Sequence, residues 1–172
     1  MAHRKLVSLI VACFIVLFAA TASAEDKAGP LEVGGKLGFG VSFGDLAGVS
    51  FVFSPEIGYA LDGENAYLIF DPEIQAPAGD GAFFTIPATF QYDIELPVDG
   101  LYIYPRGSLG VSVFSGGGNP FFTVTPACGI KYQVLKQLHV GGEPIRFPIH
   151  VTDGAVFAQY EFLVSVGADL DP

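Results

Sequence analysis

Eight successive runs of this chain place an apolar residue, mostly aromatic or β-branched, at every second position, and nearly all the charge within those runs falls in the other set. Side chains alternate between the two faces of a strand, so a period of two marks strands with one apolar and one polar face. The runs cover 31–43, 49–61, 66–75, 82–96, 101–114, 121–134, 138–151 and 156–168. In the fourth, Phe84, Ile86, Ala88, Phe90, Tyr92, Ile94 and Leu96 share one face, and Thr85, Thr89, Gln91, Asp93 and Glu95 share the other. Between the runs stand Gly, Asn and Asp clusters, the residues that supply hairpin turns. No sustained helical period occurs beyond the first 24 residues, which predicts an all-β fold.

Those first residues are set aside before the fold is considered. His3, Arg4 and Lys5 form a basic start, residues 6–20 an apolar stretch, and Ala22-Ser23-Ala24 a small-residue cleavage site. This is the pattern of an export signal, shorter than the roughly 20 apolar residues of a spanning helix. We expect residues 1–24 to be removed, with one domain over 25–172. Taking 24 residues from 172 leaves 148, ample for one domain and short for two.

All 18 acidic residues lie in that mature chain, against Lys27, Lys36, Arg106, Lys131, Lys136 and Arg146, a formal charge of 6 minus 18, or −12. So acidic a protein is no partner for nucleic acid. Yet 51% of the residues are hydrophobic, and that apolar surface needs somewhere to go. Cys128 is the one cysteine left, so no internal disulfide staples the fold; its parity puts it with the apolar set.

Two all-β architectures fit this alternation. A soluble barrel turns its apolar face inward around a ligand, and a membrane barrel turns it outward to lipid. Run length favours the second, since ten to fifteen residues exceed the usual five or six of soluble strands and cover the nine to eleven of a tilted transmembrane strand. The polar face, rich in Gly, Ser and Thr with isolated charges, also differs from an ordinary solvated surface. The soluble periplasmic barrel with an apolar ligand inside stays as the alternative.

In this pattern the chain resembles the small eight-stranded outer-membrane barrels of Gram-negative bacteria, the class of the OmpA transmembrane domain and OmpX. The likeness spans the whole mature chain and is architectural, with no short motif. It implies an antiparallel up-and-down barrel in the bacterial outer membrane, both termini in the periplasm, and a lumen plugged by side chains. Its partners would be outer-membrane lipid and the outer-membrane assembly machinery, with the barrel a monomer. Two departures stand out. The chain ends Gly167-Ala168-Asp169-Leu170-Asp171-Pro172 rather than on an aromatic residue, leaving Tyr160-x-Phe162-x-Val164 as the internal candidate for an assembly signal. The expected outward loops are also short.

On the membrane reading, the lipid-facing set includes Phe39, Phe43, Phe51, Phe53, Tyr59, Phe84, Phe90, Tyr92, Phe122, Tyr132, Tyr160 and Phe162. The lumen receives Glu32, Lys36, Glu56, Asp71, Glu73, Asp93, Glu95, Arg106, Lys131, Arg146 and Glu161, seven acids against four bases. An eight-stranded barrel is just wide enough inside for side chains, so these groups are expected to form a cross-lumen ion-pair network. A narrow cation-preferring path through the acid excess is the functional counterpart. Pro55, Pro72, Pro87, Pro105, Pro126 and Pro144 fall near the middle of runs two to seven, and each removes a ladder donor. Their recurrence predicts a bend or bulge in each of these strands.

No catalytic group is expected. Among small outer-membrane barrels, the lipid A deacylases would need a serine next to the histidine, and His150-Val151-Thr152 lacks it. His150 with Ser165 and Glu161 is the nearest thing to a triad, and all three read as ordinary luminal residues. No His or Cys pair has metal-ligand spacing, and Asp71-x-Glu73 and Asp93-x-Glu95 recur as a luminal row would, so neither metal nor cofactor is expected. The chain reads as a structural or permeability-related protein and not an enzyme.

Overall fold

The computed structural model describes residues 31–43, 48–61, 65–77, 81–152 and 155–170, and every regular element within them is a strand. The expected signal at 1–24 lies outside the described residues, as do turn residues 44–45, 62–64, 78–80 and 153–154.

The chain makes eight passes. β1 is Leu31–Ser42 and β2 is Gly48–Ala60; β3 comes in two pieces, Ala66–Phe70 and Glu73–Pro77. β4 is Phe83–Tyr92 with a short continuation, Ile94–Glu95, followed by β5, Leu101–Phe114, and β6, Phe121–Leu135. β7 is again split, into Leu138–Arg146 and Ile149–Thr152, and β8 is Ala155–Leu170. Each pass pairs antiparallel with its neighbours in sequence. β1 also pairs with β8, from Leu31↔Leu170 to Ser42↔Gln159, and this seam closes the sheet into a barrel with no free edge. Leu31 and Leu170 mark one end, the terminal end; the β1–β2, β3–β4, β5–β6 and β7–β8 connections mark the far end.

The two residue sets segregate across the barrel wall. Phe39 is 61% exposed on the outside, while Lys36, three residues earlier on the same strand, is 1% exposed on the inside. Ten of the twelve aromatic residues expected on the apolar face are exposed, and Phe53 and Tyr160 are half-buried there. The interior is mostly polar: Ser54, Thr89, Ser112, Glu143 and Glu161 are all fully buried. This arrangement excludes the soluble alternative, whose cavity required the apolar set inside.

Glycines on the inner face of β1 let neighbours approach closely. Gly38 faces Leu163 across the seam, and a Cβ there would collide with the Phe162 carbonyl and the Leu163 side chain. Across β5 and β6, the buried Tyr104 ring occupies the space a side chain on Gly129 would need.

The prolines behave less uniformly than a bend in every strand would require. Pro72 sits in the break of β3, where the Ser54 hydroxyl donates to the freed Asp71 carbonyl at 3.1 Å. Pro144 lies at a bulge: Cys128 pairs with Ile145 and Ile130 with Gly142, so β7 carries an extra residue. Pro55, Pro87, Pro105 and Pro126 instead lie within unbroken strands. Three of these four face glycine, as Pro55↔Gly35, Pro87↔Gly110 and Pro126↔Gly107, which leaves room for the ring on the partner strand. The β7 break falls at Phe147-Pro148, and the ladder is held across it by Phe147 N–H to Pro126 O at 3.0 Å and Gln159 N–H to Pro148 O at 2.9 Å.

Candidate functional site

The interior charges are arranged in levels along the barrel axis. Near the terminal end, Lys131 of β6 lies 2.5 Å from Asp93 and 3.4 Å from Glu32 of β1, with its ammonium 5.0 Å from the centre of the Tyr67 ring. Glu32 also meets His139 of β7 at 3.3 Å, and Asp169 of β8 stands 4.0 Å from the same imidazole. One lysine is thus shared between strands that are not neighbours, which only a closed, narrow barrel permits.

At mid-barrel the network becomes continuous. Lys36 contacts Glu56 at 3.1 Å, Asp71 at 3.2 Å and Glu143 at 3.0 Å. Arg106 of β5 binds Glu143 at 2.6 Å and Glu56 at 3.0 Å, while Thr89 donates to the other oxygen of Asp71 at 2.6 Å. Arg146 of β7 reaches Glu73 and Glu161 at 2.6 Å each and Glu143 at 3.1 Å. Charge-assisted bonds of this kind are the strong ones, and all three cations spread theirs over several strands. Gln75 donates to both Glu73 and Glu161, bridging the two carboxylates.

Towards the far end the charges give way to hydroxyls and aromatic rings. Thr85, Ser112 and Thr123 form a chain with spacings of 2.7 Å and 2.6 Å that ends on His150 Nδ1 at 2.9 Å. The His150 ring stacks on Phe157 at 4.6 Å. His150 does not meet Ser165: it pairs with Phe157, whereas Ser165 pairs with Gly141 well down β8.

The luminal set gains two residues, and one of its members lies at the rim. Glu95 pairs with Tyr102, whose other partner is the interior Lys131, so it keeps the luminal side but stands exposed at the terminal-end mouth, outside the ion pairs. Glu143, which the alternation assigned to neither set, is the hub of the network and touches Lys36, Arg106 and Arg146. Glu143 and Arg146 are three residues apart and point to the same side because the bulge at Pro144 inserts a residue between them. Proline flanked by Glu and Ile-Arg was the available sequence signal. Asp169, expected beyond the last strand, is a further interior carboxylate on β8. Among the described residues, eight buried carboxylates (Glu32, Glu56, Asp71, Glu73, Asp93, Glu143, Glu161, Asp169) accompany four buried Lys and Arg side chains, so the interior is acidic.

Neither family models nor the curated proteins give a match to this chain. Solved structures do. The crystal structure of Neisserial surface protein A matches with a TM-score of 0.67 at 17% identity, covering 84% of this chain and 100% of that one. The chain has the fold of an eight-stranded transmembrane β-barrel. The N-terminal β-barrel domain of Pseudomonas aeruginosa OprF matches at 0.53 and 13% identity, covering 83% of this chain and 99% of the domain. The outer membrane enzyme PagL matches at 0.56 and 14% identity, covering 78% of this chain and 97% of its own.

The last match corrects the expectation that the chain is not an enzyme. That reading leaned on the missing serine beside His150 and on the plain appearance of the interior, but the same barrel carries an enzyme in PagL. Activity in such a fold is set by a few side chains grafted on a common scaffold, and the absence of one local motif does not remove it.

Proposed function

We propose that this chain is an integral protein of the bacterial outer membrane, exported by residues 1–24, with a structural or permeability-related role and an interior plugged by its own side chains. The observation that carries the reading is the ion-pair network around Glu143, which ties β1, β2, β3, β5, β7 and β8 together across the lumen inside a wall whose outer face is apolar. Apolar side chains facing outward on every pass suit a hydrocarbon surround, and a closed barrel satisfies its backbone without water. The lipid-facing set proposed above, Phe39 and Phe90 among it, then lies in the bilayer. Assembly by the outer-membrane machinery and a monomeric state follow from the same reading. The acid excess would favour cations along any residual path.

The test is to express the full chain in a Gram-negative host and compare gel mobility of the outer-membrane fraction with and without boiling. A band that resists carbonate extraction and shifts on heating supports the reading. A soluble periplasmic protein without a heat shift refutes it. Planar-bilayer recordings then address the plug: steady, ion-selective openings from the purified barrel would refute a blocked lumen and leave the permeability role.

A further inference from the structure

A cavity of about 340 Å³ opens at the far end of the barrel, between the ends of seven strands and the 115–120 connection. Its walls include the rings of Phe83, Phe114 and Phe121, of which Phe83 and Phe114 pack with centroids 4.9 Å apart. Its buried lining is different in kind: Ser50, Gln75 and Gln159 are 6%, 1% and 2% exposed. The carboxamide oxygen of Gln75 accepts no hydrogen bond among the described residues, and that of Gln159 has the neighbouring His150 ring as its one internal candidate among them, outside good hydrogen-bond geometry. For Gln75 the identity of that atom follows from the network, since its nitrogen already donates to Glu73 and Glu161 and the oxygen is what remains. A buried acceptor without a donor forfeits its hydration for nothing in return, so Gln75 calls for a donor from outside the chain, and Gln159, only poorly served by His150, can accept from the same one.

The charge beneath the cavity decides which donor. Glu73 and Glu161 lie directly against Gln75, and Gln159 is two residues from Glu161 on the same face of β8. We propose that this cavity is a binding site for a small apolar molecule with an ammonium head: the phenylalanine rings hold the body, and the Gln75 and Gln159 oxygens accept hydrogen bonds from the head. The volume suits a single ring with a short chain, at the small end of ligand pockets. Aromatic faces add attraction for a cation, and the acidic level below repels a carboxylate of the same shape. This site sits above the charged network and is independent of whether the lumen conducts.

The experiment titrates phenethylamine and, separately, hydrocinnamate, its carboxylate counterpart, against the full mature chain in lipid nanodiscs, followed by saturation-transfer NMR. Protein-free nanodiscs are the blank. Saturable binding of the amine, with the acid weaker by at least about tenfold, is expected from one charge-assisted interaction gained and one repulsion avoided. Gln159→Leu keeps the aromatic walls and should weaken the amine by about tenfold while leaving the acid unchanged. Equal affinity for amine and acid, uptake no different from the blank, or full amine affinity in Gln159→Leu would each overturn the proposal. The amine-against-acid comparison uses the unaltered protein, so it decides the matter even where the variant folds poorly; the heat shift, measured on the same samples, reports separately on the barrel.

Discussion

Arg146→Met removes the cation that three carboxylates share while keeping a stem of similar length in place. Its consequences differ for the three. Glu143 retains Lys36 at 3.0 Å and Arg106 at 2.6 Å and stays paired. Glu73 and Glu161 are left with the single amide of Gln75 between them. Breaking a buried pair by deleting one partner costs roughly 3–5 kcal/mol. Each stranded carboxylate has an escape, since taking up a proton at neutral pH costs about 3–4 kcal/mol and caps its share. Some relaxation toward the remaining polar groups reduces the sum, giving an expected loss of about 4–7 kcal/mol, a large part of the 5–15 kcal/mol that folded domains possess. The chain has no tryptophan, so unfolding is best followed by the folded-to-unfolded band shift on unboiled gels across a urea series in lipid vesicles. The triple variant with Glu73→Gln and Glu161→Gln removes the stranded charges and should recover at least about half of the loss. The reasoning fails if Arg146→Met unfolds within about 1 kcal/mol of the parent, or if the triple variant is no more stable than the single one.

Three further outcomes are expected. Phe90→Lys, on the exposed outer face, should cut membrane insertion by about 2–4 kcal/mol if it lies near the bilayer midplane; full insertion yield in vesicles would argue against lipid contact there. Gly38→Val drives a side chain into the Phe162 carbonyl and Leu163, and should lower the urea midpoint of the closed barrel by the equivalent of about 2–4 kcal/mol, whereas a change under about 0.5 kcal/mol would mean that the seam yields. Cys128, a half-buried free thiol beside the exposed Pro126 and Ile130, should react with N-ethylmaleimide in intact membranes much faster than with a charged, membrane-impermeant maleimide; equal rates measured by mass shift would place it in water.

Residue alternation made the wall of this protein readable and its interruptions unreadable. Strand number, facing and most boundaries follow from a period of two, which is a local property: Phe84 through Tyr92 declare their outer face without reference to any other strand. The bulge at Pro144 is not local, because an inserted residue changes facing only relative to the partners of β7, and so Glu143 escaped assignment. Glu95 kept its luminal parity, since the register runs unshifted from Gln91↔Arg106 to Glu95↔Tyr102, but the pattern does not show that the barrel mouth leaves it exposed. Proline alone was an ambiguous signal: Pro72 ends a strand segment, while Pro87 stands buried in a continuous one opposite Gly110. Which acid meets which base depends on the shear of the closed sheet, and no short-range feature links Lys36 to Glu143 across 107 positions. The hydroxyl chain from Thr85 to His150 depends on the same register.

The β1–β8 seam also sets a timetable for assembly. Seven of the eight strand pairings join sequence neighbours and can zip outward from their turns, but the twelve pairs from Leu31↔Leu170 to Ser42↔Gln159 join the two ends of the described chain. Bringing those ends together costs roughly 4 kcal/mol of chain entropy before any of the twelve pairs forms. The seam is therefore the slow, last-formed joint, and until it shuts β1 and β8 both present open hydrogen-bonding edges. A catalyst of barrel folding gains most by gripping those two strands, so variants along Gly34, Gly38 and Gly40 should delay maturation more than equally destabilising ones on β4.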